Sequence, residues 1–137
     1  MSEYCDIKTQ FKNVDALVDA LLEASPHWTR DKIEVHNEPQ HLYGFQGDMR
    51  EQTAHVIIRR QTIGGASNDI GFIRGADGTY TAQISRYDQH RHGERWQAKL
   101  KQSYAFHAIR RQQERNGRTV TRQVRTDGKI VVSVKGY

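Results

Sequence analysis

The chain of 137 residues holds a single cysteine, Cys5. One cysteine excludes an internal disulfide and any multi-cysteine zinc site, and reads as a small buried side chain near the terminus. No apolar run approaches the roughly 18 residues of a membrane span, and no stretch resembles a signal peptide. A cytoplasmic protein without membrane contact is therefore expected. Apolar residues are scarce as well. Leu, Ile, Val and Phe number 28 of 137, which sits at the edge of the composition that marks disorder. Their placement in periodic segments between turn signals predicts a folded chain all the same, and the length predicts one domain over 1–137. Also missing are a nucleophile elbow, a metalloprotease helix and a dinucleotide fingerprint. Gly64-Gly65 lacks the Lys-Ser/Thr pair of a phosphate loop.

Charge is distributed unevenly. Residues 1–85 carry 8 Lys/Arg against 12 Asp/Glu, a net −4, and residues 86–137 carry 13 against 4, a net +9. Such asymmetry marks either an acidic partner, such as nucleic acid, or two halves that neutralise each other on folding.

Residues 4–11 read as a strand. Asn13 is a suitable N-cap, and Val14, Leu17, Val18, Leu21 and Leu22 repeat with helical spacing until Ser25-Pro26. Asp15, Asp19 and Glu23 mark the other face, a stripe expected to be solvated. Five short strands are expected next, at 32–36, 41–46, 53–60, 69–74 and 79–86. The first two are separated by the turn-like Asn37-Glu38-Pro39, and Ala54, Val56 and Ile58 share one face of the third. A second helix is predicted over 94–116, with Trp96, Leu100, Tyr104, His107 and Ala108 on its apolar face, widened by Ala98, Ala105 and Ile109. Asn116-Gly117 ends it. Strands at 118–125 and 129–134 flank Thr126-Asp127-Gly128, a strong hairpin signal, and Ile130, Val132 and Val134 supply the buried face of the last strand. The expectation is an α+β fold, an antiparallel sheet with both helices on one face, in the order β-α-β-β-β-β-β-α-β-β.

Several segments, in order, carry a family resemblance. Met1-Ser2 through Ile7-Lys8-Thr9-Gln10 is similar to an opening "MS…IKT". Gly44-Phe45-Gln46-Gly47, followed by 53–58, is similar to "GYxG…ADIVI". Asn68-Asp69-Ile70-Gly71-Phe72 is similar to "YDIGF", Tyr104-Ala105-Phe106-His107 to "YAYH", and 127–132 to "DGxIxL". Together they resemble the hypothetical chloroplast open reading frame thirty-five family, a domain-of-unknown-function family of plastids, cyanobacteria and other bacteria. The chain departs from that pattern at Asn68, Phe106 and Tyr137. The resemblance brings no catalytic residues with it. It implies an accessory protein encoded near AAA-type ATPases, with Asp69, Gly71, Tyr104 and His107 as motif positions of unassigned role.

Each candidate for chemistry has a plainer counterpart. His107, one turn beyond Tyr104, is a possible base or ligand, but without an orienting partner it reads as a core or boundary histidine. Asp69 before an apolar strand reads as a turn-bonding residue rather than an acid catalyst. His90, His92 and Glu94 form a zinc-compatible trio weakened by Arg91. No catalytic residue, metal or cofactor is assigned, and an enzyme is not expected. The strongest signal is a tract of Arg110, Arg111, Arg115, Arg118, Arg122 and Arg125, interrupted only by Glu114. Guanidinium forks suit phosphate or carboxylate, but the missing aromatics argue against a single-strand reader. The expected function is a non-enzymatic adaptor for a protein partner, with an AAA-type ATPase as the contextual choice. The alternative is sequence-independent nucleic-acid binding through the tract.

Overall fold

The computed structural model describes residues 2–136; Met1 and Tyr137, both quoted in the resemblance above, lie outside the described residues. The elements are β1 (Tyr4–Lys8), α1 (Val14–Ala24), a 3-10 turn (Arg30–Lys32), β2 (Ile33–Tyr43), β3 (Met49–Ile58), α2 (Arg60–Ile63), β4 (Ile70–Arg74), β5 (Tyr80–Ser85), α3 (Gln89–His92), α4 (Glu94–Arg115), β6 (Thr119–Val124) and β7 (Ile130–Lys135). The class is α+β. Five antiparallel strands form one sheet in the order β1-β5-β4-β3-β2, while β6 and β7 form a separate two-stranded sheet.

Local chemistry explains the first helix. Asn13 Oδ1 accepts from Ala16 N at 3.0 Å and so satisfies one of the free amides of the first turn. Ser25-Pro26 stops the helix, since the residue before proline avoids helical backbone. Leu17, Val18 and Leu21 of α1, with Trp96 and Leu100 of α4, pack on Val56, Ile58, Ile70, Phe72 and Ile84 of the sheet. Full burial of a leucine such as Leu17 or Leu21 contributes about 1.5–3 kcal/mol. The opposite sheet face carries a smaller cluster of Leu42, Ala54 and Ile57, with Tyr4 against it.

Four expectations are corrected. The strands expected at 32–36 and 41–46 are one strand, β2, and Asn37-Glu38-Pro39 forms no turn. The β2–β3 register shifts between Val35 and Gln40, and β2 is an outer strand, where a proline without an amide proton is tolerated. That shift also moves Ala54 to the face opposite Val56 and Ile58. On α4 the apolar face is narrower than expected, because Ala98, Ala105 and Ile109 are exposed. Lastly, Ile130, Val132 and Val134 do not form a buried face; they are 36%, 39% and 47% exposed. The hairpin packs through β6, where Val120 is buried, and β7 extends past the helix that covers its neighbour. Its turn is as expected, with Gly128 at φ +84.

Candidate functional site

The arginine tract meets the carboxylate stripe of α1. Asp19 accepts from Arg111 Nε at 2.6 Å, from Arg110 Nη2 at 2.9 Å and from Arg30 Nη2 at 2.9 Å. Glu23 accepts from Arg122 Nη1 at 2.7 Å and from Ser103 Oγ at 2.6 Å, and Arg122 lies over the Phe106 ring at 4.0 Å. Partial burial alone would raise the Asp19 carboxyl, but the hydrogen bonds from Arg111 and Arg30 outweigh it and hold the group below its ordinary range. The Arg122 hydrogen bond, opposed by desolvation and aided by Ser103, takes Glu23 down to about 2. Asp19 and Glu23 are therefore not the solvated residues expected of them. Arg115, Arg118 and Arg125 remain exposed; Arg118 donates to Gln113 Oε1 at 2.9 Å, and Arg125 lies 3.6 Å from Asp127.

His107 sits inside this cluster. Its Nδ1 accepts from Arg110 Nε at 3.2 Å, which leaves the proton of a neutral ring on Nε2, 3.5 Å from Glu23 Oε2. Burial lowers its proton affinity more than Glu23 and Asp19 raise it. It is half-buried between two helices, and its neutral ring packs among the ion pairs that hold α4 to α1. Tyr104 has an equally local task. Its hydroxyl accepts from Lys12 N and Asn13 N, both at 2.9 Å, and so fixes the chain entering α1. The histidines of the 90–94 segment do not converge. His90 is exposed with Nδ1 on Tyr87 O, and His92 is buried between Trp28 and Trp96. Among the described residues no group of three His, Cys, Asp or Glu is placed to hold a metal, and no helix is long and apolar enough to cross a membrane.

Asp69 and Gly71 lie elsewhere, where the turn end of the long β2–β3 hairpin meets the segment that follows β3. Asp69 is 1% exposed. Its Oδ2 accepts from Tyr43 N at 2.7 Å and Arg59 Nη1 at 2.8 Å, and its Oδ1 accepts from Arg60 N at 2.7 Å. Arg59 also grips Glu34 with two nitrogens, at 2.9 and 3.0 Å. The neighbouring Asn68 takes Phe45 N on Oδ1 at 3.1 Å and donates to Ser85 Oγ at 2.9 Å. Asp88 completes the chain by accepting from Ser85 Oγ at 2.7 Å and Asn68 N at 2.9 Å. A buried network whose members are all paired is rigid. Asp69 is thus a structural hub, with both carboxylate oxygens engaged. Gly71 is required by contact rather than backbone angle: a Cβ there would meet Ala54 Cβ at 2.6 Å and Leu42 Cδ2 at 2.9 Å.

What this network holds is the tip of the hairpin, drawn against the scaffold with large apolar side chains at its surface. Tyr43, Phe45 and Met49 flank the turn at Gly44-Phe45-Gln46-Gly47 and are 39%, 39% and 62% exposed. Gly47, at φ +80, closes the turn by donating to Gly44 O at 2.9 Å. The Arg59 guanidinium lies 5.8 Å from the centre of the Tyr43 ring, and Arg59, Arg60 and Gln61 line a shallow depression beside it. Sequence reasoning missed this tip. Its available signal was the run of large apolar residues on both sides of a glycine-bounded turn, where polar residues are usual. The fragments "GFQG" and "NDIGF", which carried the resemblance, are brought together here by direct hydrogen bonds.

Comparison with known proteins yields neither a matching curated protein nor a matching solved structure. A family model described as protein of unknown function (DUF1257) does match, over residues 30–133. That span runs from the 3-10 turn before β2 into β7, taking in the tip, its buried scaffold and the arginine tract, and the chain belongs to this DUF1257 family.

Proposed function

We propose that the chain is a non-enzymatic accessory protein that binds a protein partner through the Tyr43–Phe45–Met49 tip. The observation that carries this reading is the pairing of a fully buried clamp, Asn68 and Asp69, with three large exposed apolar side chains. Aromatic side chains, methionine and arginine are the residues enriched at protein interfaces, and rigidity lowers the entropy lost on binding. Arg60 beside the tip suits a partner with carboxylates, whereas Arg59 already holds Glu34 and Asp69. The narrower kinship with the plastid reading-frame family belongs to this reading, as does an AAA-type ATPase as the partner, and both rest on the resemblance. Charge supports a protein partner over nucleic acid, since Arg110, Arg111 and Arg122 already have carboxylates within the chain.

A photo-crosslinking residue at position 45 of the full chain, in its own cells, tests the reading. The expected result is one discrete protein adduct, lost when Tyr43→Ser and Met49→Ser are combined and retained when Arg115, Arg118 and Arg125 become Glu. An adduct that digests with nuclease and vanishes with the arginine changes would transfer the function to nucleic-acid binding.

A further inference from the structure

The sheet face opposite the tip scaffold ends in an open edge. Among the described residues β1 is an outer strand paired only with β5, so one side of Tyr4–Lys8 has no partner strand there. α4 overhangs this edge, and between them lies a groove of about 600 Å³. Its lining is mostly apolar and includes Ile7, Phe11, Phe72, Ile84, Leu100 and Tyr104. The gap has a cause in the sequence. On α4 the wall residues 98 and 105 are alanines, too short to reach the sheet. The groove opens at this edge, beside the place where a sixth strand would add to the sheet.

The same chain has a strand without a sheet. Among the described residues β7 pairs only with β6, and residues 130–134 read Ile-Val-Val-Ser-Val without one charge. Outer strands are normally guarded by lysine, proline or a bulge, and a lone two-stranded hairpin is marginal in water. Cross-strand pairing places Ile130, Val132 and Val134 on the face that carries Val120 and Arg122. α4 covers the β6 half of that face and leaves the β7 half open.

We propose that a second copy of this chain closes this edge. β7 of each copy adds to β1 of the other, with Val132 opposite Ile7 and with Ile130, Val132 and Val134 extending the apolar sheet face at the mouth of the groove. Three features select this occupant. The lengths agree, five residues in β1 and six in β7. The entering segment, residues 130–134, has no charge to bury. The hairpin is basic, with Arg118, Arg122, Arg125, Lys129 and Lys135 against Asp127. Pairing β7 with β7 would instead bring the basic ends together and leave the β1 edge open. Reciprocal exchange closes a twofold dimer and covers the free edges of β1 and β7. The proposal is independent of the tip.

Sedimentation equilibrium of the full chain tests it. The wild type is expected to be a dimer. Val134→Glu, on the open hairpin face, and Ala105→Arg, on the exposed groove wall, are each expected to raise the dimer dissociation constant by on the order of tenfold or more. An equimolar mixture of the two variants retains one intact groove and one intact hairpin. It is expected to form a heterodimer that neither variant forms alone. With Cys5→Ser in place, Ile7→Cys and Val132→Cys should oxidise to a disulfide between copies. A wild type that stays monomeric at about 100 µM, far above an ordinary dimer constant, would overturn the proposal. So would a dimer indifferent to both substitutions, or variants that fail to complement.

Discussion

Arg122, in the first strand of the C-terminal hairpin, grips Glu23 of α1 with both terminal guanidinium nitrogens, one of them 2.7 Å from Glu23 Oε1. The two residues stand 99 positions apart in sequence. Besides Val120, this fork is the main tie between the hairpin and the body, since β7 is exposed along its whole length. Both partners are about a third exposed, so solvent screening reduces the worth of the pair to about 1 kcal/mol. Arg122→Ala is therefore expected to loosen the hairpin rather than unfold the body. Limited trypsin digestion should cut faster at Arg125 and Lys129, while the melting temperature shifts by only a few degrees. Cleavage at an unchanged rate would show that the fork does not hold the hairpin.

Asp69 is expected to behave differently, because its carboxylate has no access to water. Asp69→Asn keeps the shape but removes the charge that faces Arg59 and presents an amide hydrogen where Tyr43 N or Arg60 N donates. Breaking a buried, fully paired group in this way costs about 2–4 kcal/mol. Urea denaturation should show that loss at unchanged m-value. The tip should become mobile too, with faster amide exchange at Tyr43 and Phe45. Stability within 0.5 kcal/mol of wild type, on the order of a surface change, would contradict the hub role.

These two residues show how far the sequence could be read. The helices were legible because Leu17, Leu21, Trp96 and Leu100 repeat at the helical period, and the last hairpin because Asp127-Gly128 is local turn chemistry. Asp69 was legible as a turn-bonding side chain but not as the anchor of Tyr43 and Arg60, which only the β2–β3 pairing brings near. The counter-ions of Arg110, Arg111 and Arg122 lie on α1, about 90 or more residues away, and no local pattern encodes such partners. Pro39 looked like a turn because proline is excluded from inner strands, and nothing local revealed that β2 is an outer one. Exposure on β7 was unreadable for a related reason. Alternation reports that Ile130, Val132 and Val134 share a face, not whether anything covers it.

Gly71 permits a test by compensation. The Cβ of Gly71→Ala would fall 2.6 Å from Ala54 Cβ, which is backbone-anchored and cannot rotate away, and 2.9 Å from Leu42 Cδ2. Overpacking of this kind costs about 1–3 kcal/mol. Leu42→Ala by itself leaves a cavity and costs about 2–5 kcal/mol. The double variant should be more stable than the sum of the single losses by about 1 kcal/mol, because the leucine that resisted the new methyl is gone. Strict additivity would place the strain at Ala54 alone.

The α1–α4 cluster predicts a two-stage loss of stability in acid. Burial, above all, lowers the proton affinity of His107 below its ordinary 6.5. The unfolded chain therefore takes up that proton first, and the stability owed to a neutral His107 is complete above pH 6.5 and lost as pH falls through the depressed folded value. Desolvation shifts His55 and His92 in the same direction, and they add to this stage. Glu23 acts lower, since its folded value is about 2 against an ordinary 4.5. Its contribution is complete above 4.5 and declines from there toward 2 as the carboxylate is protonated away from Arg122. The melting temperature should accordingly be level above about pH 7, fall modestly by about pH 5, and fall again below about pH 4. His107→Gln should remove part of the upper stage and leave the lower one, and Glu23→Gln should remove part of the lower stage. A melting temperature unchanged between about pH 7 and about pH 5 would mean that the histidines are already solvated in the fold, contrary to the packing of His107 against α1.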